Sequence, residues 1–491
     1  MATATLSSST AQPTLAEHAA NRIQFGARPG DIDAIDAMGY DAFVDQQLNP
    51  DSIDDASADQ VLNAAPNATL SETLQQLYDR RNISPYAEVI RPIREVQYNT
   101  MLRAVESKKQ LQERMVNFWY DHFNIYGWDY TTRSIFPTWD AMVRKHALGN
   151  FHAFLIDTAQ HASMLLYLDN YKSTDGGPNE NYARELIELH TLGAMHYNVP
   201  GGYNDEDVYE TSRCFTGWNF DANSESPNRG GFLYRHDDHD RFQKWVLGVN
   251  IPRDQAPTQD GLDVLSLLAH HPGTAKHIAW RLAQRFISDN PPASVVESTA
   301  AVFHANTEAP DQLKLAMKHL LSSDEFKSAR RAKFKRPFDW SISMLRALEV
   351  PYVIHEKFSF EWLYDSMGQP LYSWSTPDGA PDVKEQWATS NGMIKRWRMM
   401  FETADGWYLK YGFGFNPFAV MPGDIKTAEQ IADFWIRRVI CGPVSDETRK
   451  AIIDYASEGR NPKLPLPGSQ IETKAKYVAA LCAVSPEFMM R

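Results

Sequence analysis

The sequence contains little cysteine and no long apolar run. Its 491 residues include only three cysteines, Cys214, Cys441 and Cys482, which lie far apart and are not in a C-x-x-C arrangement. A disulfide framework or a cysteine-based zinc site is therefore not expected. The mean hydropathy is −0.45. No apolar run approaches the roughly 18 to 20 residues that a membrane-spanning helix requires, so no membrane span is expected.

Positive charge is also scarce. Lys and Arg total 49 against 62 Asp and Glu, which gives a formal net charge of −13. Proteins that coat nucleic acid are usually basic, so nonspecific nucleic-acid binding is disfavoured. The N-terminus, MATATLSSSTAQPTLAEH, has neither a basic region nor an apolar stretch of the kind found in an export signal. A cytoplasmic location is the default expectation.

Several common catalytic motifs are missing as well. The sequence has no P-loop, no GxGxxG, no GxSxG, no HExxH and no kinase signature. Their absence disfavours the common nucleotide-dependent, serine-hydrolase and zincin classes.

Most of the chain has helical periodicity. The pattern predicts a mostly α fold: a large multi-helix globular body with long loops and at most a small β-hairpin. Residues 1–13 are expected to be disordered, 14–218 to form a helical N-terminal half, 219–250 a loop or hairpin insertion, and 251–491 a helical C-terminal half, packed as one continuous body. Within the insertion, FQKWVLGVNI predicts a short strand or hairpin. Residues 370–386 form a Pro/Gly/Asp loop of a length that is often functional.

The segment GPNENYARELIELHTLG, residues 177–193, is the densest in chemistry-bearing side chains. Asn179 is a plausible N-cap and Gly193 a plausible stop for one α-helix. At about 100° per residue, one face carries Glu180, Arg184, Glu188 and Thr191, with Glu185 near its boundary. One interpretation is an exposed ion-pair ladder, at about 0.3–0.5 kcal/mol per pair. The other is a buried group of carboxylates that act as acid/base or metal-binding groups.

Two histidines lie on apolar helix faces. His190 lies on the face opposite Arg184, and His122 shares a face with Leu111, Met115, Phe118, Trp119 and Tyr126. A core histidine satisfied by a carbonyl or carboxylate explains either one alone. Together they indicate a buried polar site, where burial favours neutral imidazoles suited to metal ligation or general-base chemistry. The candidate metal ligands are His122, His190 and Glu188, for a divalent metal.

RHDDHDRFQK, residues 235–244, concentrates histidine and aspartate in a short stretch. It matches no spacing rule of a known metal site. It is therefore either a solvated charged loop or a segment through which His239 and Asp240 contribute to a pocket.

A series of motifs resembles the bacterial family called domain of unknown function 1800. The motifs are NRIQFGARPGDIDAI, FWYDHFN, NENYARELIELHTLG, DVYETSRCFTGW, HDRFQKWVLG, HHPGTAKHIAWRLAQRF, KRPFDWSISMLRAL and GQPLYSWSTPDGAPDVKEQW, in that order. The resemblance spans about residues 14–491. It implies a largely helical protein of a commonly exported family, often encoded beside a sulfatase-like family, with no established activity. Its motifs point to His122, Glu180, Arg184, Glu185, Glu188, His190, His239 and Asp240.

The chain departs from the family pattern at three positions. Phe242 stands where glycine is usual, Ala162 follows His161 where proline is usual, and Ala380 replaces a usual aromatic residue. We expect these changes to lie near the candidate pocket and to alter its substrate.

The leading hypothesis is an enzyme with a buried His/Glu/Arg pocket. It would perform acid–base or metal-assisted chemistry, hydrolase- or lyase-type or oxidative, on a small polar or carbohydrate-like substrate. Glu185 or Glu188 would be the general base, an imidazole the acid or ligand, and Arg184 would orient an anionic group. The alternative is a non-catalytic binding or assembly protein with a protein partner, in which the buried charged network is structural. The first hypothesis requires His122, His190, the carboxylates of residues 180–188 and His239 to converge within about 8 Å around a solvent-reachable cavity, which His239 and Asp240 would close.

Overall fold

The computed structural model describes residues 12–350, 352–355, 360 and 364–491. Helices account for 59% and strands for 4%, so the mostly α prediction is confirmed. Within these ranges no helix is both long and apolar enough to cross a membrane. The prediction of disorder for residues 1–13 falls almost entirely outside the described residues.

Eighteen α-helices precede residue 350 in the described chain. Their bounds are α1 Leu15–Arg22, α2 Asp31–Met38, α3 Tyr40–Gln47, α4 Ala56–Ala64, α5 Leu74–Asp79, α6 Tyr86–Glu106, α7 Gln110–His122, α8 Thr132–His146, α9 Phe151–Gln160, α10 Ala162–Tyr167, α11 Glu180–Glu185, α12 Asp205–Cys214, α13 Gln259–Ala269, α14 Pro272–Phe286, α15 Ala293–Ala305, α16 Gln312–Ser322, α17 Asp324–Ser328 and α18 Pro337–Leu348.

Six further α-helices follow residue 364. They are α19 Lys384–Trp387, α20 Ser390–Ala404, α21 Ala428–Trp435, α22 Asp446–Ser457, α23 Gly468–Ala483 and α24 Pro486–Met489. Two π-helical segments, Leu186–His190 and Ile436–Ile440, continue α11 and α21 directly. Because a π turn contains an extra residue, each segment shifts the face presented by the residues after it.

Local capping determines where many of these helices start. Thr14 and Glu17 form a reciprocal capping box at α1, and Asn204 and Asp207 form another at α12. In each box the N-cap side chain accepts from the backbone of the third helical residue, and that residue's side chain accepts from the N-cap backbone.

Two small antiparallel hairpins interrupt the helices. Strands β3 (Lys244–Val246) and β4 (Val249–Ile251) pair, so the prediction of a strand or hairpin at FQKWVLGVNI is confirmed. Their turn contains Leu247 and Gly248, both at positive φ, as expected for a two-residue hairpin turn. The preceding stretch, predicted to be loop-like, also contains a hairpin, β1 (Trp218–Phe220) with β2 (Phe232–Tyr234).

One large apolar cluster fills the interior, with members from Ala16 to Met489. Among the described residues five tryptophans are fully buried: Trp119, Trp139, Trp218, Trp340 and Trp435. Helices from both sequence halves therefore pack their apolar faces into the same core.

Residues 370–383 have no regular secondary structure, and side chains from other elements hold them in place. Asn124 donates to Trp374 O and Thr376 O, and Tyr167 donates to Ser375 O. Gly379 lies so close to α7 that a Cβ there would be 1.9 Å from Asp121 O. This loop therefore packs directly on the end of the helix that carries His122.

Candidate functional site

The segment 177–193 starts as predicted but does not remain α-helical. The side chain of Asn179 accepts from the amide of Asn181 at the start of α11. The α-helix ends at Glu185, and Leu186–His190 form a π turn, so the expectation of one α-helix to Gly193 was wrong. Because the wheel assumed about 100° per residue, positions after Glu185 no longer follow its faces.

Arg184 lies on the outside of this segment. Its guanidinium pairs with Glu180 at 3.1 Å and with Asp205 at 3.2 Å, and these three side chains are 38%, 43% and 67% exposed. Within the described residues Arg184 makes no ion pair with Glu188. The interpretation as an exposed ion pair is therefore confirmed for Glu180 and Arg184 but does not extend to Glu188 in the described residues.

Glu185 carries a half-buried carboxyl group. Among the described residues it has no hydrogen bond and no ion pair. Burial raises the pKa of Glu185 to about 7, and the negative charge of Glu188 adds to the rise. Asp378, in the loop that packs on α7, raises it further. Glu185 therefore exchanges its proton close to neutral pH.

His122 and His190 meet inside the protein. Their exposed fractions are 2% and 1%, and their ring centres are 6.3 Å apart. His122 Nε2 donates to the backbone carbonyl of His190 at 3.1 Å. Helix α7 ends at His122, so Tyr126, which we expected on the same buried face, is 37% exposed.

A third imidazole, His277 of α14, completes the cluster. Its ring centre lies 6.1 Å from that of His122, and its Nε2 donates to Leu189 O at 3.1 Å. His277 is not among the candidate site residues predicted from the sequence. The two donors therefore bind consecutive carbonyls, Leu189 and His190, of the π turn.

These contacts determine the tautomers. A carbonyl only accepts hydrogen bonds, so Nε2 carries the proton in His122 and His277, and Nδ1 has a free lone pair when the ring is neutral. Both Nδ1 atoms are buried without a partner in the described structure, as are both ring nitrogens of His190. Burial lowers the pKa of His190 and His277 to about 3 and that of His122 well below its usual range.

Sequence reasoning missed Arg281, which lies one helical turn after His277. Its positive charge further lowers the pKa values of all three histidines. Burial lowers the pKa of Arg281 itself, while the charges of Asp121 and Asp378 act against that effect. The i, i+4 spacing of His277 and Arg281 was the available signal, since it places both on one helix face.

A buried ion network lies beside this cluster. Asp121 Oδ2 accepts from Arg285 and from Arg336, each at 2.5 Å. Asp382, near the end of the 370–383 loop, pairs with Arg285 and Lys333. Helices α7, α14 and α18 and the loop are thereby connected through charged groups.

His239 and Asp240 belong to a different neighbourhood. His239 contacts Asp260 Oδ2 at 3.2 Å and Thr216 O at 2.8 Å, and Asp240 pairs with Arg213 at 2.7 Å. With Phe242 they line a surface cavity of about 290 Å³. The structure does not bring them into contact with His122 or His190.

The three proposed metal ligands do not form a ready coordination set. In the described parts of the chain, no group of three or more His, Cys, Asp or Glu side chains is arranged to hold a metal ion. Glu188 is half-buried and interacts electrostatically with Glu185 and Tyr203.

Comparison with family models shows which protein family this chain belongs to. A model described as protein of unknown function, DUF1800, matches residues 18–490. The chain belongs to this family. The predicted resemblance is thus confirmed over nearly the full length. Comparisons with curated proteins and with solved structures gave no match.

The three departures from the usual DUF1800 pattern line three different cavities. Ala380 lines a narrow cavity with Asp121 and Trp374, close to the imidazole cluster. Ala162 lines a second cavity, of about 270 Å³, and Phe242 the one beside His239. Only Ala380 therefore lies near the group of residues around His122.

Proposed function

We propose that this DUF1800 protein is an enzyme that performs acid–base chemistry on a small polar substrate, with Glu185 as the proton-transferring group. The observation that carries the proposal is the state of Glu185: a half-buried carboxyl without a partner in the described residues, with a pKa of about 7. A general acid or base is most effective when its pKa lies near the operating pH. A structural carboxylate of this burial is normally paired.

The surroundings of Glu185 support the same role. The negative charges of Glu188 and Asp378 disfavour ionisation of Glu185. The carboxyl therefore passes between its protonated and ionised forms over a narrow range around neutral pH. Tyr167 lies close enough for Glu185 and Asp378 to add to the burial that raises its pKa to about 12. The Tyr167 hydroxyl therefore stays protonated and keeps its hydrogen bond to Ser375 O.

The imidazole cluster supplies acceptors rather than charges. At neutral pH the three rings are uncharged, and the one unprotonated nitrogen of His190 can accept a hydrogen bond from a bound hydroxyl. Hydrolysis or elimination on a hydroxylated, carbohydrate-like compound uses this combination of a titrating carboxyl and neutral acceptors. Metal assistance by His122, His190 and Glu188 remains a prediction, which metal analysis of the purified protein tests.

A binding or assembly role is the second candidate, and the ion network favours it. The charged side chains of this network pair almost completely with one another, as structural charges do. They are Asp121, Asp382, Arg285, Lys333 and Arg336. This network leaves out Glu185 and the free ring nitrogens, so it does not account for them.

Replacing Glu185 with glutamine tests the proposal. The purified protein is assayed against esters, lactones, glycosides and hydroxy acids between pH 5 and 9. We expect turnover with an inflection near pH 7, lowered about 100-fold or more in E185Q, because general acid–base catalysis contributes about that much. Exposed Glu206, on α12, gives the control E206Q. Equal rates for the wild type, E185Q and E206Q would refute the role of Glu185, and no turnover across the panel would favour the binding role.

A further inference from the structure

Arg281 is a half-buried residue of α14. In the described residues it makes no hydrogen bond and no ion pair, although burial lowers its pKa. Burying an unpaired cation is costly, and arginines in such positions normally engage a carboxylate or a carbonyl. Arg285, one turn further along α14, has the normal arrangement and contacts Asn117, Asp121 and Asp382.

Two of the three carboxylates whose charges act on Arg281 are already committed to other cations, and the third, Asp378, is exposed and makes no ion pair with Arg281 in the described residues. Asp121 Oδ2 accepts from both Arg285 and Arg336, and Asp382 pairs with Arg285 and Lys333. Engaging either carboxylate with Arg281 would weaken a buried pair elsewhere. The charge of Arg281 is therefore in excess of what the local network neutralises.

Free polar atoms of the imidazole cluster lie within the field of the same guanidinium. His190 is 1% exposed, and in the part of the chain that the structure describes neither of its ring nitrogens has a partner, nor does Nδ1 of His122 or of His277. The charge of Arg281 acts on all three rings. Four buried ring nitrogens that lack a partner in the described residues therefore lie beside a guanidinium that makes no ion pair there.

We infer that Arg281 binds an oxyanion group of the substrate: a carboxylate, a sulfate or a phosphate. The planar guanidinium presents paired N–H donors that match two oxygens of such a group. The net charge of −13 repels anions in general, so retention of an anionic ligand requires a local cation of this kind. The substrate is then a small polar compound that carries an acid group.

This inference rests on the proposed function only for the acid–base chemistry that follows binding. The binding of an oxyanion by Arg281 does not depend on it. Asp378 acts electrostatically on both Arg281 and Glu185, so the two groups belong to one neighbourhood. An oxyanion held by Arg281 would bring the rest of the compound toward the Glu185 carboxyl. A carboxyl that is largely protonated below pH 7 tolerates that negative charge better than an ordinary glutamate would.

Direct binding measurements on the full-length protein test the inference. Isothermal titration calorimetry is run with sulfate, inorganic phosphate and malonate at constant ionic strength, with chloride as the reference anion. Calorimetry is preferred to thermal shift because sulfate and phosphate stabilise proteins without binding to a site. We expect binding of at least one oxyanion by the wild type, weakened about tenfold or more in R281Q, since a hydrogen-bonded charge contributes at least that factor.

Two further variants complete the design. R398Q removes an exposed, surface-paired arginine and should bind the anion as the wild type does. R281K keeps the charge without the planar fork and should bind with intermediate affinity. The order of affinity among sulfate, phosphate and malonate identifies the acid group. No anion binding by the wild type, or an affinity in R281Q within about twofold of the wild type, would overturn the inference.

The inference and the proposed function can fail separately. E185Q should keep the anion affinity of the wild type while losing turnover, whereas R281Q should lose the affinity. Because Arg281 has no partner, R281Q should also unfold at a urea concentration equal to or above that of the wild type. A strong loss of stability in R281Q would mean that the guanidinium is structural, and would overturn the inference whatever the role of Glu185.

Discussion

At the scale of single residues, the candidate site depends on which ring nitrogen of each histidine carries a proton. The carbonyls of Leu189 and His190 fix Nε2–H on His277 and His122. Aromatic rings surround His122, with Trp119 and Phe123 centred 5.2 and 4.6 Å away. Neutral imidazoles in such an environment can accept hydrogen bonds without the cost of a buried charge.

Replacing His122 with phenylalanine should change stability in a pH-dependent way. Phenylalanine fills the same space but leaves His190 O without its donor, which should cost about 1–3 kcal/mol at pH 8. In the wild type the folded-state pKa of His122 is depressed, so the unfolded chain binds the extra proton as the pH falls below about 6.5. The wild type therefore loses about 1.4 kcal/mol per pH unit that H122F does not lose.

Urea unfolding at pH 8 and at pH 5 measures this difference. The stability gap between the wild type and H122F should be largest at pH 8 and smaller at pH 5. The same substitution at exposed His304 serves as the control and should show no such convergence. A gap that stays constant with pH would mean that the pKa of His122 is not lowered by folding.

At the scale of elements, the site is built from a π turn and an irregular loop. The π turn leaves Leu189 O and His190 O to accept from side chains of α14 and α7. The loop places Asp378 where its charge reaches both Glu185 and Arg281. Each feature is a departure from regular structure, and such departures are frequent at functional sites.

Gly379 allows the loop to pack on α7, and Gly379→Ala should displace it. The residue has φ +74°, and an added Cβ would be 1.9 Å from Asp121 O. Gly201 has the same φ with no atom within 4 Å of the added Cβ, so G201A isolates the backbone strain of about 1–2 kcal/mol. G379A should lose clearly more stability than G201A, as measured by urea unfolding. It should also make residues 370–383 more susceptible to protease, and equal losses of stability would contradict the packing.

Sequence patterns predicted some elements well and could not predict others. Helical periodicity and caps such as Asn179 depend on neighbours within one turn, so they are readable from the chain. The π turn at Leu186–His190 is not, because it depends on tertiary partners for its carbonyls. For that reason the face analysis correctly paired Glu180 with Arg184 and wrongly extended the row to Glu188.

At the scale of the whole molecule, an acidic protein encloses a locally cationic interior. The formal charge is −13, yet Arg281, Arg285, Arg336 and Lys333 lie close together within the fold. Four carboxylates pair with the last three of these cations: Asp121, Asp289, Asp339 and Asp382. The remaining cation, Arg281, is the one to which we assign the binding of an oxyanion.

The long-range part of the site also explains what sequence reasoning could and could not find. His122 and His190 stood out because each interrupts an apolar face, and they are in fact neighbours. His239 looked similar in its sequence context, but its partners Thr216 and Asp260 keep it elsewhere. Which polar residues converge depends on packing between distant segments, and periodicity carries no information about that.

Titration of Glu185 itself is the most direct test of its proposed acid–base role. Infrared difference spectra of the wild type against E185Q, recorded from pH 4 to 9, isolate the carbonyl stretch of this one protonated carboxyl. We predict a band that disappears with a midpoint near pH 7 and is present in E206Q. A midpoint near the ordinary value of about 4.5 would contradict the proposed role of Glu185, because the carboxyl would then titrate as an ordinary surface glutamate does.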